Sequence, residues 1–145
     1  LAGALGSASG RIVSGALSDM IGRLSVLRIM VLVSAIAMPV LFLGREQGVF
    51  FYLLVFVVYW CFGTQLSVFA TTAADFFGTK HMGLNYGLLF TAYGVAGLIG
   101  PYIAGRVFDV SGDYRNAFFI AAGLAVVALI SLGFARPPSR EATAA

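Results

Sequence analysis

The run Gly15-Ala-Leu-Ser-Asp19-Met-Ile-Gly22-Arg23-Leu-Ser-Val-Leu-Arg28 holds the densest cluster of charge and turn signals in an otherwise apolar chain. It lies between two hydrophobic segments and reads as a very short loop. Asp19 stands at a helix end, Gly22 supplies the backbone turn, and Arg23 and Arg28 fall where the next helix begins. Two apolar helices joined this tightly have to be antiparallel neighbours.

The composition says what solvent those helices meet. Of the 145 residues, 60% are hydrophobic and 10% charged, against about 25% charged in soluble domains. Lipid is the solvent such a chain is built for, and a soluble domain is excluded. The net charge of +3 comes from basic residues scattered along the connections rather than gathered on one face, which argues against nucleic acid as a partner. The lone Cys61, set in an aromatic run, reads as a small buried hydrophobe. With one His and one Cys, no metal site and no cofactor are expected. The chain begins at Leu1, without Met and without a charged segment ahead of an apolar core. No signal peptide is visible, and the sequence reads as a piece whose upstream part is missing.

Working outward from the turn, residues 1–17 form a first span built from small residues, with Gly3, Gly6, Gly10 and Gly15 among Ala and Ser and a single Arg11. Such a segment suits close helix packing. Residues 24–43 form a greasy second span interrupted by Pro39, which membrane helices tolerate. A short loop with Arg45 and Glu46 leads to a third span, 49–74, which opens on Phe50, Phe51 and Tyr52 and turns polar at Thr64, Gln65, Ser67, Thr71 and Thr72. After a loop over 75–83, the fourth span, 84–105, again carries small residues and a Pro101 placed to bend it. A polar connection over 106–115 precedes the fifth span, 117–135, and 136–145 reads as a tail. The expected fold is therefore an all-α integral membrane bundle of five transmembrane helices. The first, third and fourth have the small and polar residues of a bundle interior, and the second and fifth are greasy throughout.

On alternate connections the basic residues divide five against three: Arg23, Arg28, Lys80, Arg136 and Arg140 on one side, Arg45, Arg106 and Arg115 on the other. The excess puts the Gly22 turn and the C-terminus in the cytoplasm, in a multi-pass protein of the cell (inner or plasma) membrane.

Charge inside a bilayer costs at least about 2.5 kcal/mol, so Arg11 is a functional candidate. It lies eight positions before Asp19, about 12 Å at the helical rise and near the middle of a core about 30 Å thick. Gln65, nine positions before Ala74, and Tyr93, nine after Leu84, come out at about 14 Å. Three polar side chains from three interior-type helices thus share one depth. Transporters bind substrate near the midplane, and a guanidinium fork matches a carboxylate, so a small organic anion is the ligand expected of Arg11, Gln65 and Tyr93. Other roles stay open: Arg11 as a structural charge paired on another helix or snorkelling to the interface, and Gln65 as an interhelical hydrogen bonder. Gly15, Asp19, Gly22, Arg23 and Arg28 read as a conformational latch between cytoplasmic helix ends; the plainer reading is that they only set topology.

The spacing Gly15-x-x-x-Asp19-x-x-Gly22-Arg23-x-x-x-x-Arg28 resembles the signature loop of the major facilitator superfamily. That loop occurs once in each half of those twelve-helix transporters, on the cytoplasmic side. Met20 and Leu24 stand where the family usually has basic residues, as in a weakened second copy. The run from Asn85 to Pro101, Asn-Tyr-Gly-Leu-Leu-Phe-Thr-Ala-Tyr-Gly-Val-Ala-Gly-Leu-Ile-Gly-Pro, preceded by Phe76-Phe-Gly-Thr-Lys80, looks like helix 11 and its approach in the oxalate/formate antiporter family. The resemblance implies helices 8 to 12, most of the C-terminal half of the fold, with the N-terminal half of the same transporter as a partner. It also implies secondary active transport of a small carboxylate by exchange with a counter-anion or with protons. Oxalate carriers of that family pair an arginine in helix 8 with a lysine in helix 11; Arg11 matches the arginine, but Tyr93 occupies the lysine's place in Thr-Ala-x-Gly. One fixed cation in place of two points to a monocarboxylate.

The alternative is a solute sensor or non-transporting membrane protein on the same fold, which a long soluble domain upstream would favour. An enzyme is not expected, because no Ser/His or paired-Asp constellation lies at midplane depth. In intact cells, a cysteine introduced at Ser139 should resist an impermeant thiol reagent and one at Gly112 should react; the reverse pattern overturns the orientation.

Overall fold

The computed structural model describes residues 1–135 as five α-helices: α1 (Ala2–Ile21), α2 (Arg23–Leu43), α3 (Gly48–Phe77), α4 (Met82–Ser111) and α5 (Arg115–Phe134). No strand occurs among the described residues. The expected tail over 136–145, with Arg136 and Arg140 of the charge count, lies outside them. Helices α2 to α5 are each long and apolar enough to cross a membrane. Helix α1 is as long as α5 at 20 residues, but its Gly, Ala and Ser content leaves it less apolar than the other four.

The helices run further than their apolar spans. The turn after α1 shrinks to Gly22 alone, whose φ of 90° and ψ of 140° redirect the chain in one residue while its N–H still bonds the Ser18 carbonyl. A positive φ of this kind is open to glycine at little cost. Helix α3 takes in Asp75–Phe77, and α4 extends through Arg106 and Asp109 to Ser111, where Gly112 adopts the left-handed conformation and its N–H closes on the Phe108 carbonyl. The polar connection expected over 106–115 is thus mostly helix. Arg and Asp are compatible with helical backbone, and 30 residues make a rod of about 45 Å, longer than a hydrocarbon core of about 30 Å.

The bundle is organised around the contact of α1 with α3. Gly6 faces the Phe56 carbonyl, Gly10 the Trp60 carbonyl, and Gly63 the Ser7 carbonyl, and a Cβ at any of the three would lie under 3.0 Å from that oxygen. The same register continues in the hydrogen bond between Ser14 Oγ and Thr64 Oγ1, 2.6 Å long and buried, with residues 50 apart in the chain. Contacts that advance in the same direction along both helices mean that the two run parallel. Thr64 Oγ1 also reaches the Trp60 carbonyl at 2.9 Å. Interhelical hydrogen bonds in membranes average about 0.6 kcal/mol, so close backbone approach carries more of this interface than the hydroxyl pair does.

Helix α2 lies against both α3 and α5. Val26, Leu27 and Val68 form the fully buried core, with Leu17, Met30 and Leu132 packed on it. Helix α4 touches only α3 and α5 and buries no residue. Its Gly87, Gly94, Gly97, Gly100 and Gly105 have open space where a Cβ would stand. Within this chain α2 supplies core, while the small-residue surface of α4 is open among the described residues. At the end opposite Gly22, Arg45 approaches Asp113 at 3.8 Å and lies over the Phe42 ring at 4.2 Å, so the connections after α2 and α4 share that end.

Gly63→Ala in the full-length protein should lower the melting temperature in detergent by several degrees, since an overpacked interface costs about 1–3 kcal/mol. Gly15→Ala should be neutral, because nothing lies within 4 Å of the added methyl. Equal behaviour of the two variants would refute the tight α1–α3 seat.

Candidate functional site

Two regions stand out, a polar one at the Gly22 end and a largely apolar one between α3 and α4. At the Gly22 end, Arg23 is the hub. One of its terminal nitrogens meets the Asp75 carboxylate at 2.5 Å and donates to the Thr71 carbonyl at 2.7 Å. Asp19 is a looser partner at 3.9 Å, with 72% of its side chain exposed against 28% for Arg23. Arg28 turns elsewhere. Its Nε and a terminal nitrogen donate to the Leu132 carbonyl at 3.1 and 2.9 Å, and that terminal nitrogen also donates to the Ala135 carbonyl at 3.1 Å. These are orphan carbonyls at the C-terminal end of α5, where the helix dipole favours a cation.

The five residues grouped as a latch therefore divide among three tasks. Arg23 ties α2 to α3, Arg28 ties α2 to α5, and Asp19 stays largely in solvent. Gly22 makes the turn. Gly15, expected to permit close helix approach, has open space beside it, and its carbonyl accepts the Ser18 hydroxyl at 2.8 Å. Close approach falls instead to Gly6, Gly10 and Gly63. Sequence reasoning passed over Asp75. The signal was there: an acid in the last turn of a helix opposes the dipole and calls for a cation nearby. Asp19, Arg23, Arg28, Thr72, Asp75 and Thr79 all border a polar cleft of about 950 Å³.

Midway along the helices, α3 and α4 form an open, largely apolar cavity of about 270 Å³. Gln65, half-buried, and Tyr93, 46% exposed, both line it, and Arg11 does not. A chain of aromatic contacts crosses the cavity. Ring centroids are 6.1 Å apart between Phe62 and Tyr93, 5.6 Å between Tyr93 and Phe90, and 4.7 Å between Phe90 and Tyr86.

Thr64 Oγ1 lies against both the Ser14 hydroxyl and the Gly10 carbonyl, so the stretch of α1 that holds Arg11 faces Thr64, the neighbour of Gln65 in α3. Tyr93 is in ring contact with Phe62 in the same part of α3. Arg11 is exposed, and no hydrogen bond or ion pair engages it among the described residues. No cluster of His, Cys, Asp and Glu fit to hold a metal ion occurs among them either.

Comparison with known proteins agrees with this architecture. The sequence profile of the Major Facilitator Superfamily matches residues 1–145. The uncharacterised MFS-type transporter YhjX of Escherichia coli is 32% identical over 90 residues, which are 62% of this chain and 22% of that protein. Monocarboxylate transporter 14 of mouse is 33% identical over 66 residues, 46% of this chain and 13% of the relative. Human monocarboxylate transporter 12 is 28% identical over 74 residues, 51% and 14% respectively. The matched part of the chain thus spans less than a quarter of the length of each relative. With a profile match from end to end and four helices fit to cross a membrane beside a fifth of small residues, the chain belongs to the Major Facilitator Superfamily of multi-pass membrane transporters.

Proposed function

We propose that this chain is part of a secondary active transporter that moves a small monocarboxylate across the cell membrane by alternating access, in exchange for a counter-anion or together with protons. Arg11 carries the reading. It is a guanidinium near mid-depth on the least apolar helix, without a partner among the described residues, and burial at that depth is costly unless an anion is brought to it. The bidentate fork of arginine suits one carboxylate. Tyr93, near the same level, offers a phenolic hydrogen bond in the place where dianion carriers of the oxalate/formate antiporter family have a lysine. A second carboxylate would meet only that phenol, at a cost of several kcal/mol. Relatives named monocarboxylate transporters support a carboxylate cargo, and the Asn85-to-Pro101 motif supports kinship with the oxalate/formate antiporters. Gln65, on the same cavity wall as Tyr93, serves as a further polar contact for the anion.

The Gly22 end acts as the latch. Arg23 and Arg28 bind α3 and α5 to α2, so that these helices move as one body, and exposed Asp19 is the group free to engage the other half of the transporter. In the full-length protein, Asp19→Asn should slow turnover several-fold with substrate affinity within about twofold of the parent, whereas Asp75→Asn should also lower thermal stability. Exposed pairs contribute only about 0.2–1 kcal/mol, so the stability loss is a few degrees. Unchanged transport in Asp19→Asn leaves the loop with topology alone.

The site itself is tested by competition. Uptake by the full-length protein should be inhibited by lactate or pyruvate far better than by oxalate, and Arg11→Lys should lose most uptake because an ammonium lacks the planar fork. Preferential inhibition by oxalate, or normal transport by Arg11→Lys, overturns the assignment.

A further inference from the structure

The cavity between α3 and α4 has a use that a bare carboxylate does not explain. Its volume of about 270 Å³ is near the lower end of ligand pockets, which run from about 300 Å³ upward and are mostly apolar with a few placed polar groups. Phe62, Phe69, Tyr86 and Phe90 supply aromatic faces and edges, while Gln65 and the Tyr93 hydroxyl are its hydrogen-bonding groups apart from the Tyr86 phenol. Formate or lactate would fill a small part of such a volume and leave the rings without contacts. Aromatic rings prefer offset or edge-on partners 4.5–7 Å between centroids, in about the spacing the Phe62–Tyr93–Phe90–Tyr86 series already keeps. An added ring extends that array.

We infer that the substrate is an arylalkyl monocarboxylate, its aromatic body seated in the α3–α4 cavity against Phe62 and Phe90 and its carboxylate directed past Tyr93 toward the level of Arg11. The inference rests on the monocarboxylate reading and adds the body to the head. Charge complementarity argues for this occupant over a lipid chain: the cavity's Tyr93 wall stands at the depth of a cation with no partner among the described residues, which a neutral acyl tail would not engage.

Phenylpyruvate and pyruvate share one head group and differ by the ring, so their competition isolates the cavity. In cells or proteoliposomes carrying the full-length protein, phenylpyruvate should inhibit labelled-pyruvate uptake at a concentration at least about tenfold below that needed for unlabelled pyruvate, as expected from burying one ring. Phe90→Leu and Phe62→Leu should each bring that ratio down toward one, and Arg11→Lys should abolish inhibition and uptake by both. A parental ratio of one or less, the outcome for a cavity filled by a lipid chain or by another helix, overturns the inference, as does a ratio unchanged in both leucine variants. Should the ratio be one while pyruvate uptake still needs Arg11, only the aromatic seat falls; should pyruvate not compete at all, or Arg11→Lys transport normally, the monocarboxylate reading falls with it.

Discussion

Backbone-to-backbone approach of α1 and α3 is the constraint on which the bundle depends. Lipid provides no hydrophobic drive between apolar helices, so a membrane fold has to gain its association energy from surfaces that fit closely. Here Gly6, Gly10 and Gly63 remove the side chains that would hold the two axes apart, and the Ser14–Thr64 bond then locks the register. That contact sets the stretch of α1 that holds Arg11 against the middle of α3, next to Gln65. It also brings the C-terminal turn of α3, with Asp75, beside the Gly22 turn where Arg23 can reach it. Without the glycine seat neither region would have its geometry.

The charges at the Gly22 end divide by what surrounds them. Arg28 serves backbone carbonyls at the end of α5 and is part-buried; such a contact is stiff, because a helix terminus offers several acceptors in a fixed arrangement. Arg23 and Asp75 are paired by side chains and remain partly open to solvent. Asp19, the most exposed of the set, has little holding it. A gradient from fixed to free thus runs across this one end of the bundle.

Much of this was legible in the sequence because lipid imposes a simple grammar. Runs of apolar residues gave five helices and their order, and Gly22 before Arg23 gave the tight turn. Small residues in α1 and polar ones in α3 marked helices that pack closely. Charges were harder to read. Arg106 and Asp109 looked like loop residues, yet helical backbone accepts them once it leaves the hydrocarbon. The pairing of Arg23 with Asp75 needed knowledge of which helix ends meet, and Arg28's acceptors are carbonyls, which carry no sequence signal. The glycines of α4 looked like those of α1, but of the two sets Gly3, Gly6 and Gly10 of α1 alone meet a neighbour among the described residues.

The single-residue link at Gly22 bears on how the protein enters the bilayer. Helix α1 is poor in bulky apolar side chains and carries Arg11, so its own transfer into lipid is weakly driven, whereas α2 is among the most apolar of the five. With one residue between them, α2 cannot settle across the membrane unless α1 is threaded as well, and the pair enters as a hairpin whose stronger arm carries the weaker. Helix α3, which supplies the seat for α1's glycines, is synthesised only afterwards. Among these three helices, then, the covalent turn joins α1 to α2 before the glycine seat on α3 exists, so the order of residues along the chain is also an order of dependence during assembly.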